Sequence, residues 1–240
     1  MVYKYSSVTN IGLKRNNNED SLGIFEVNNG ILAIVCDGLG GNRAGDVASQ
    51  LSVNSVHEFF QSSDLSDYLD RIKYSIMSAN KMLLEKSNNN SELKGMATTI
   101  EVLFLKDNTA YWGHVGDSRI YYSRNGKLNQ LTKDHSLVQK LVDEGYLTLK
   151  EAEHHPNKNI IMRALGDNSK VEVDLSKIKL NSSDDFLFFI CTDGVTAVIN
   201  NNEMEKIFSD YDRITETLTK LIVKRGAPDN FSFVIIAKNS

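Results

Sequence analysis

Apolar and polar positions change period in blocks along the chain. Residues 3–9 alternate loosely and predict an edge strand. Residues 21–27 and 31–36 predict two strands joined by Asn28-Asn29-Gly30, whose Asn-Gly pair is a hairpin signal. Residues 44–61 then carry Ala44, Val47, Ala48, Leu51, Val53, Val56, Phe59 and Phe60 at the spacing of one helix face. Leu65, Leu69, Ile72, Ile76, Ala79 and Leu83 repeat that spacing over 65–86. From Ala97 the period falls to two. Strands at 98–105, 109–115, 119–124 and 127–131, with Asp107-Asn108 and Asn125-Gly126 between them, predict a meander. Short helices follow at 136–144 and 148–155. Strands at 171–180 and 185–192 predict a pair around Asn181-Ser182-Ser183-Asp184. Helices are expected at 195–198, 201–209 and 213–225, the last with basic residues in its final turn before Gly226. A strand over 230–237 ends the pattern. Blocks of strands and helices, rather than strict alternation, imply antiparallel sheets with helices packed outside.

Composition narrows the function classes. The length of 240 residues suits one domain over 1–240, large enough to bury a core. Against 31 acidic residues stand 27 Lys and Arg, a net charge of −4, so there is no basic surplus for nucleic acid. Cys36 and Cys191 each sit in an apolar strand pattern and are expected to be reduced core residues of a cytoplasmic protein. MVYKYSSVTN lacks an apolar signal core, and no apolar run approaches a membrane span.

The candidate chemistry centres on Asp37, which stands between the apolar run 31–36 and the glycines Gly38, Gly40 and Gly41. A carboxylate there is costly unless a cation sits beside it. A dinucleotide fingerprint fails because Arg43 occupies its third glycine position. A cysteine phosphatase loop fails because Cys36 lies inside the strand pattern and Arg43 falls one position too far away. The arrangement of apolar strand, Asp and turn recurs at Asp117 and Asp193. Glu19-Asp20 precedes one strand and Asp229 precedes another. Singly, each carboxylate reads as a turn former or helix cap. Together they suggest strand ends converging on one acidic site, whose oxygen ligands suit Mg²⁺ or Mn²⁺ rather than Zn²⁺.

The set Arg15-x-x-Asn18-Glu19-Asp20, Asp37-Gly38-Leu39-Gly40-Gly41, Gly116-Asp117-Ser118-Arg119, Thr192-Asp193-Gly194 and Asp229-Asn230 resembles the protein phosphatase 2C family of metal-dependent serine/threonine phosphatases, in particular its short bacterial branch. The resemblance runs in order from about Tyr5 to Ala237. It implies an α+β fold of four layers, α-β-β-α, with two antiparallel sheets face to face. It also implies a flap at about 132–166 that governs substrate access.

By the same resemblance Asp37 bridges two Mn²⁺ or Mg²⁺ ions and Gly38 adds its carbonyl. Asp193 and Asp229 complete the ligands, and Glu19 and Asp20 ligate directly or hold coordinated waters. Arg15 clamps the phosphate, a task suited to a planar guanidinium. Asp117, with Asp193, holds a third, weaker ion, although Asp117 reads equally well as a turn former. A metal-activated water is the nucleophile. Leu39 stands where some members carry a histidine acid, so water, His114 or His135 must protonate the leaving oxygen. His114 itself reads as a core or supporting residue, and His154-His155 as exposed loop histidines. The implied partners are phosphoserine and phosphothreonine proteins and, by analogy, a Ser/Thr kinase acting on them, with the enzyme a monomer. Two rivals use the same residues: another two-metal phosphoesterase, or a catalytically weak regulatory relative.

Overall fold

The computed structural model describes residues 3–39 and 44–238. Gly40, Gly41 and Arg43 therefore lie outside the described residues. The strands are β1 (Tyr3–Asn10), β2 (Ser21–Val27), β3 (Gly30–Cys36), β4 (Ile100–Lys106), β5 (Thr109–Val115), β6 (Arg119–Arg124), β7 (Lys127–Gln130), β8 (Asp174–Lys179), β9 (Phe186–Cys191) and β10 (Phe231–Lys238). The helices are α1 (Gly45–Ser62), α2 (Tyr68–Asn89), α3 (Leu137–Asp143), α4 (Leu149–Glu153), α5 (Asp193–Thr196), α6 (Asn201–Ile207) and α7 (Ile214–Lys224).

Two five-stranded antiparallel sheets form, in the orders β1-β10-β9-β6-β7 and β2-β3-β4-β5-β8. Side-chain alternation sorts the core into three apolar layers. From β3, Ile31, Ala33 and Val35 face the opposite sheet, where they meet Phe188 and Ile190 of β9 and Val234 and Ile236 of β10. Leu32, Ile34 and Cys36 face the other way, toward Val56 and Phe60 of α1 and Ile72 and Ile76 of α2. Phe189 and Cys191 of β9 and Phe233 and Ile235 of β10 pack on Leu218 and Ile222 of α7 and Met204 of α6. Three apolar interfaces need four layers, so the α-β-β-α sandwich stands as expected. Strands such as β3 and β9 are buried on both faces, which is why they read as continuous apolar runs.

Local turn chemistry agrees with the sequence. Asn28 and Asn29 both take positive φ (53° and 58°), as do Asn125 and Gly126 (50° and 81°), giving the left-handed pair that closes a two-residue hairpin.

Two pairings differ from expectation. The strands at 171–180 and 185–192 do not pair with each other: β8 adds to β5 in one sheet, and β9 lies between β10 and β6 in the other. The meander is likewise split, because the Gly116–Ser118 turn carries the chain from β5 in one sheet to β6 in the other. Alternation specifies which face of a strand is buried, but not which neighbour it takes. The second crossing matters for the site, since it brings Asp117 to the seam between the sheets.

Candidate metal centre

The carboxylates gather at one end of both sheets. Asp20 directly precedes β2 and Asp37 directly follows β3, and the register sets Ser21 opposite Cys36. Asp117 follows β5, Asp193 follows β9, and Asp229 comes just before β10. In that second sheet Cys191 lies across from both Arg119 and Phe233. Each side chain is thus placed by the end of a rigid strand.

Small polar residues fix the details. Thr99 Oγ1 accepts the Asp37 N–H at 3.0 Å, and Thr98 Oγ1 donates to the Asp37 carbonyl at 2.8 Å. The Thr99 and Ser118 hydroxyls are bonded at 2.9 Å, which ties the root of Asp37 to the turn bearing Asp117. Thr192 Oγ1 donates to Asp20 Oδ2 at 2.9 Å and accepts the Ser232 N–H at 3.0 Å. Asn230 Oδ1 accepts the Glu19 N–H at 2.9 Å, while its Nδ2 donates to the carbonyls of Ile11 (2.8 Å) and Asn17 (2.9 Å). That side chain holds the loop carrying Arg15 and Glu19 against the start of β10. Arg15 Nη2 donates to Asp229 Oδ2 at 2.7 Å and remains half exposed.

Gly38 and Gly194 are demanded by close approach. A Cβ on Gly38 would lie 2.3 Å from the Gly45 carbonyl oxygen and 2.5 Å from that of Glu19; on Gly194 it would lie 1.8 Å from that of Asn230. The sequence reading singled out the carboxylates and missed Thr98, Thr99, Ser118, Thr192 and Asn230 as their supports. For Ser118, Thr192 and Asn230 the available signal was a hydroxyl or amide side chain beside an Asp at the end of an apolar run, whereas Thr98 and Thr99 lie 61 and 62 residues from Asp37 and carried none.

The electrostatics are those of concentrated, poorly compensated negative charge. Burial raises the Asp37 carboxyl well above its ordinary range, and Asp20, Asp193 and Asp117 raise it further. Asp20 and Asp117 are each pushed up to about 7, by burial first and by neighbouring aspartates next. Asp193 is raised by burial first and then by Asp229, and its contact with Asp37 raises Asp37 in turn. Burial also raises Glu19. Asp117 Oδ1 is buried with no hydrogen-bond partner. A buried all-oxygen set with one orphaned carboxylate oxygen fits divalent Mg²⁺ or Mn²⁺. Among the described residues no three Asp, Glu, His or Cys side chains are already drawn into a chelating group. Asp229 is bonded instead to Arg15, and Asp20 to Thr192.

The histidines lie outside this set. His114 is buried, bonded through Nδ1 to Glu101 and through Nε2 to the Lys133 carbonyl at 2.9 Å. His135 Nδ1 accepts the Gly116 N–H at 3.1 Å, and its Nε2 faces Asp174 Oδ2 at 3.2 Å. His154 is exposed as expected, whereas His155 is half-buried, its Nδ1 accepting the Asn157 N–H at 3.1 Å. Cys36 and Cys191 are free, buried thiols, raised by burial, and therefore unreactive core residues.

Comparison with known proteins identifies the family of the chain. The profile of the Protein phosphatase 2C family matches residues 14–226. The serine/threonine phosphatase stp of Listeria welshimeri is 35% identical over 239 residues, covering 96% of this chain and 94% of its own. The crystal structure of serine/threonine phosphatase Stp1 from Staphylococcus aureus superposes with a TM-score of 0.93 at 30% identity, over 100% of this chain and 96% of that one. The catalytic domain of the serine/threonine protein phosphatase PstP, solved in complex with two manganese ions, gives a TM-score of 0.86 at 30% identity, over 98% and 97% of the two chains.

Proposed function

The chain belongs to the protein phosphatase 2C family, and on that premise we propose that Asp37, Gly38, Asp193 and Asp229, with Glu19 and Asp20 beside them, form the metal site at which it works. The protein is a metal-dependent serine/threonine phosphatase that hydrolyses phosphoprotein monoesters. What carries the residue assignment is the convergence of buried, proton-holding carboxylates from both sheets on one end of the sandwich.

Asp37 and Asp193 would supply carboxylate oxygens to divalent cations, with the Gly38 carbonyl adding a neutral oxygen ligand. Asp229 would ligate from the far side, and Glu19 and Asp20 would ligate directly or orient water. Asp117, with Asp193, would hold a third and weaker ion, Mn²⁺ being favoured by the manganese complex of the related domain. Divalent cations at such a site supply the charge that makes a water nucleophilic near neutral pH and that stabilises the phosphoryl oxygens during in-line displacement.

Arg15 does the binding. Its exposed guanidinium is held over the cluster by Asp229, leaving donors free to take two phosphate oxygens. Asp20 is oriented through Thr192. The leaving oxygen receives its proton from water at the Asp117 carboxylate. Leu39 has none to give. His114 is buried with both ring nitrogens bonded, and the lowering of His135 to about 4, by burial first and then by the charge on His114, keeps it neutral at pH 7. Residues 132–166 would serve as the flap over this end. We place the enzyme in the cytoplasm as a monomer opposing a Ser/Thr kinase, a setting supported by two free buried thiols.

The test is hydrolysis of phosphothreonine and phosphoserine peptides with Mn²⁺, run beside a phosphotyrosine peptide and a plasmid-nicking assay. Turnover on the first two alone, abolished by chelator, is expected. Nicking would favour another two-metal phosphoesterase, and metal binding without turnover a regulatory relative.

A further inference from the structure

Glu101 is the lone acidic residue in the strongly apolar β4, and it is completely buried. The β4–β5 register sets it directly across from His114, which is 1% exposed. Glu101 Oε1 bonds His114 Nδ1, while Oε2 is buried without a partner. A buried ion pair in a sheet is poor evidence for stability, because desolvation offsets its attraction. Its use must be sought in what the far side of the imidazole holds.

His114 Nε2 donates to the Lys133 carbonyl at 2.9 Å. Its ring lies against that of His135, with centroids 4.3 Å apart. His135 in turn grips both polar groups of Gly116: its Nδ1 accepts the Gly116 N–H at 3.1 Å, and its own N–H donates to the Gly116 carbonyl at 2.7 Å. Gly116 is at φ +122°, with Thr99 too close to admit a side chain, and it immediately precedes Asp117. The His135 carbonyl accepts the Met162 N–H at 2.7 Å, which closes the far end of the 132–166 segment onto its beginning. Other charged groups around the rings are Asp134, Asp174 and Arg163.

We propose that the Glu101–His114 pair is a positioning device for catalysis: it anchors the base of the flap segment through Lys133 and His135, and through His135 it sets the Gly116–Asp117 turn. The pair touches no substrate. Two acceptors, the Glu101 carboxylate and the Lys133 carbonyl, face the two ring nitrogens, so the imidazole donates to both. A glutamine at 101 can instead donate its amide N–H to Nδ1 and leave the Nε2–H bond to Lys133 intact. Leucines at both positions keep the strand apolar and remove the anchor.

This inference rests on the role proposed for Asp117, so its test reads structure as well as turnover. In the Glu101→Leu/His114→Leu double variant the melting temperature should stay level or rise. Amide exchange in residues 132–136 and at Gly116 should nevertheless quicken at least tenfold, with β9 and β10 unchanged. Its kcat on a phosphothreonine peptide should fall at least tenfold with KM within threefold. Glu101→Gln should restore exchange and kcat to within threefold of wild type. Wild-type exchange at 132–136 in the folded double variant, or a Glu101→Gln loss as large as that of the double, would overturn the proposal. If exchange quickens while kcat holds, the anchor exists but Asp117 does not carry the reaction, which overturns the catalytic half. Should the double variant not fold, His114→Asn, too short to span Glu101 and Lys133, must give the same quickened exchange and lower kcat, and wild-type values there would refute the device.

Discussion

Arg15 Nη2 donates to Asp229 Oδ2 at 2.7 Å, joining the proposed phosphate-binding cation to a carboxylate of the proposed metal centre across more than two hundred residues of chain. The guanidinium is half exposed, so it has donors to spare for a ligand. Arg15→Ala should raise KM more than it lowers kcat. Charge-assisted hydrogen bonds of this type are worth roughly 1.5–3 kcal/mol, so KM should rise by about tenfold or more, and inhibition by inorganic phosphate should weaken in parallel. Steady-state kinetics with and without phosphate checks this. Unchanged constants would make Arg15 only the partner of Asp229.

Asp37→Asn and Asp193→Asn should each remove most activity while leaving the fold intact. A neutral amide is a poorer ligand for a hard cation, and its loss of charge removes the cost of burying charge that, with the neighbouring carboxylates, raises both groups. The melting temperature in chelator should therefore be equal to or above that of wild type. A near wild-type rate in either variant would remove that residue from the ligand set.

The metal-free protein should lose stability as pH rises. Asp20, Asp37, Asp117 and Asp193 bind protons more tightly when folded, chiefly because burial disfavours their charge. Stability falls with pH wherever the folded state binds more protons. For Asp20 and Asp117 the contribution is complete below 3.8, the ordinary value of an aspartate, and lost as pH passes about 7. One carboxylate moved over that range corresponds to roughly 4 kcal/mol, a change in Tm on the order of 10 °C. His114, pushed up to about 9 by Glu101 against the effect of burial, adds a loss of the same sign between about pH 6.5 and 9. Melting curves in chelator at pH 5 and pH 8 should show the higher Tm at pH 5, and Mn²⁺ should restore the value at pH 8. A Tm that climbs with pH in chelator would contradict the charge balance drawn for the site.

Asp117→Ala should separate substrates. Turnover of a phosphopeptide, whose serine or threonine oxygen needs a proton, should fall severely. Turnover of p-nitrophenyl phosphate should fall less, because its phenolate leaves with little need of one. Equal losses on both substrates, or none, would reduce Asp117 to a shaper of the Gly116–Arg119 turn.

Much of this was legible in the chain because local rules were obeyed. The switch of period at Ala44 marked α1, and paired residues with left-handed freedom marked the 28–29 and 125–126 turns. Asp37, Asp193 and Asp229 could be found because they adjoin β3, β9 and β10, runs buried on both faces. Strand pairing was not legible. β8 carries an exposed edge-strand pattern that would suit either sheet, and the five residues between Lys179 and Phe186 before Asp185 read equally well as a hairpin or a crossing. The Glu101–His114 pair also escaped notice, although a glutamate inside an apolar strand was a visible demand for a partner; the β4–β5 register, which supplies it, is a long-range fact. Asn230 was noticed only as part of a motif, and its three bonds to the Arg15 loop depend on the chain returning from the opposite end.

The most direct measurement is calorimetric titration of Mn²⁺ into chelator-stripped protein at pH 6, in two buffers of different ionisation enthalpy. The clustered carboxylates hold protons there, and a cation must displace them to bind. The observed heat should differ between buffers by an amount that corresponds to at least one proton released, and both this difference and tight binding should be lost in Asp37→Asn. Heat independent of buffer, or Mn²⁺ binding unaltered by Asp37→Asn, would show that the carboxylates at the strand ends are not where the metal is held.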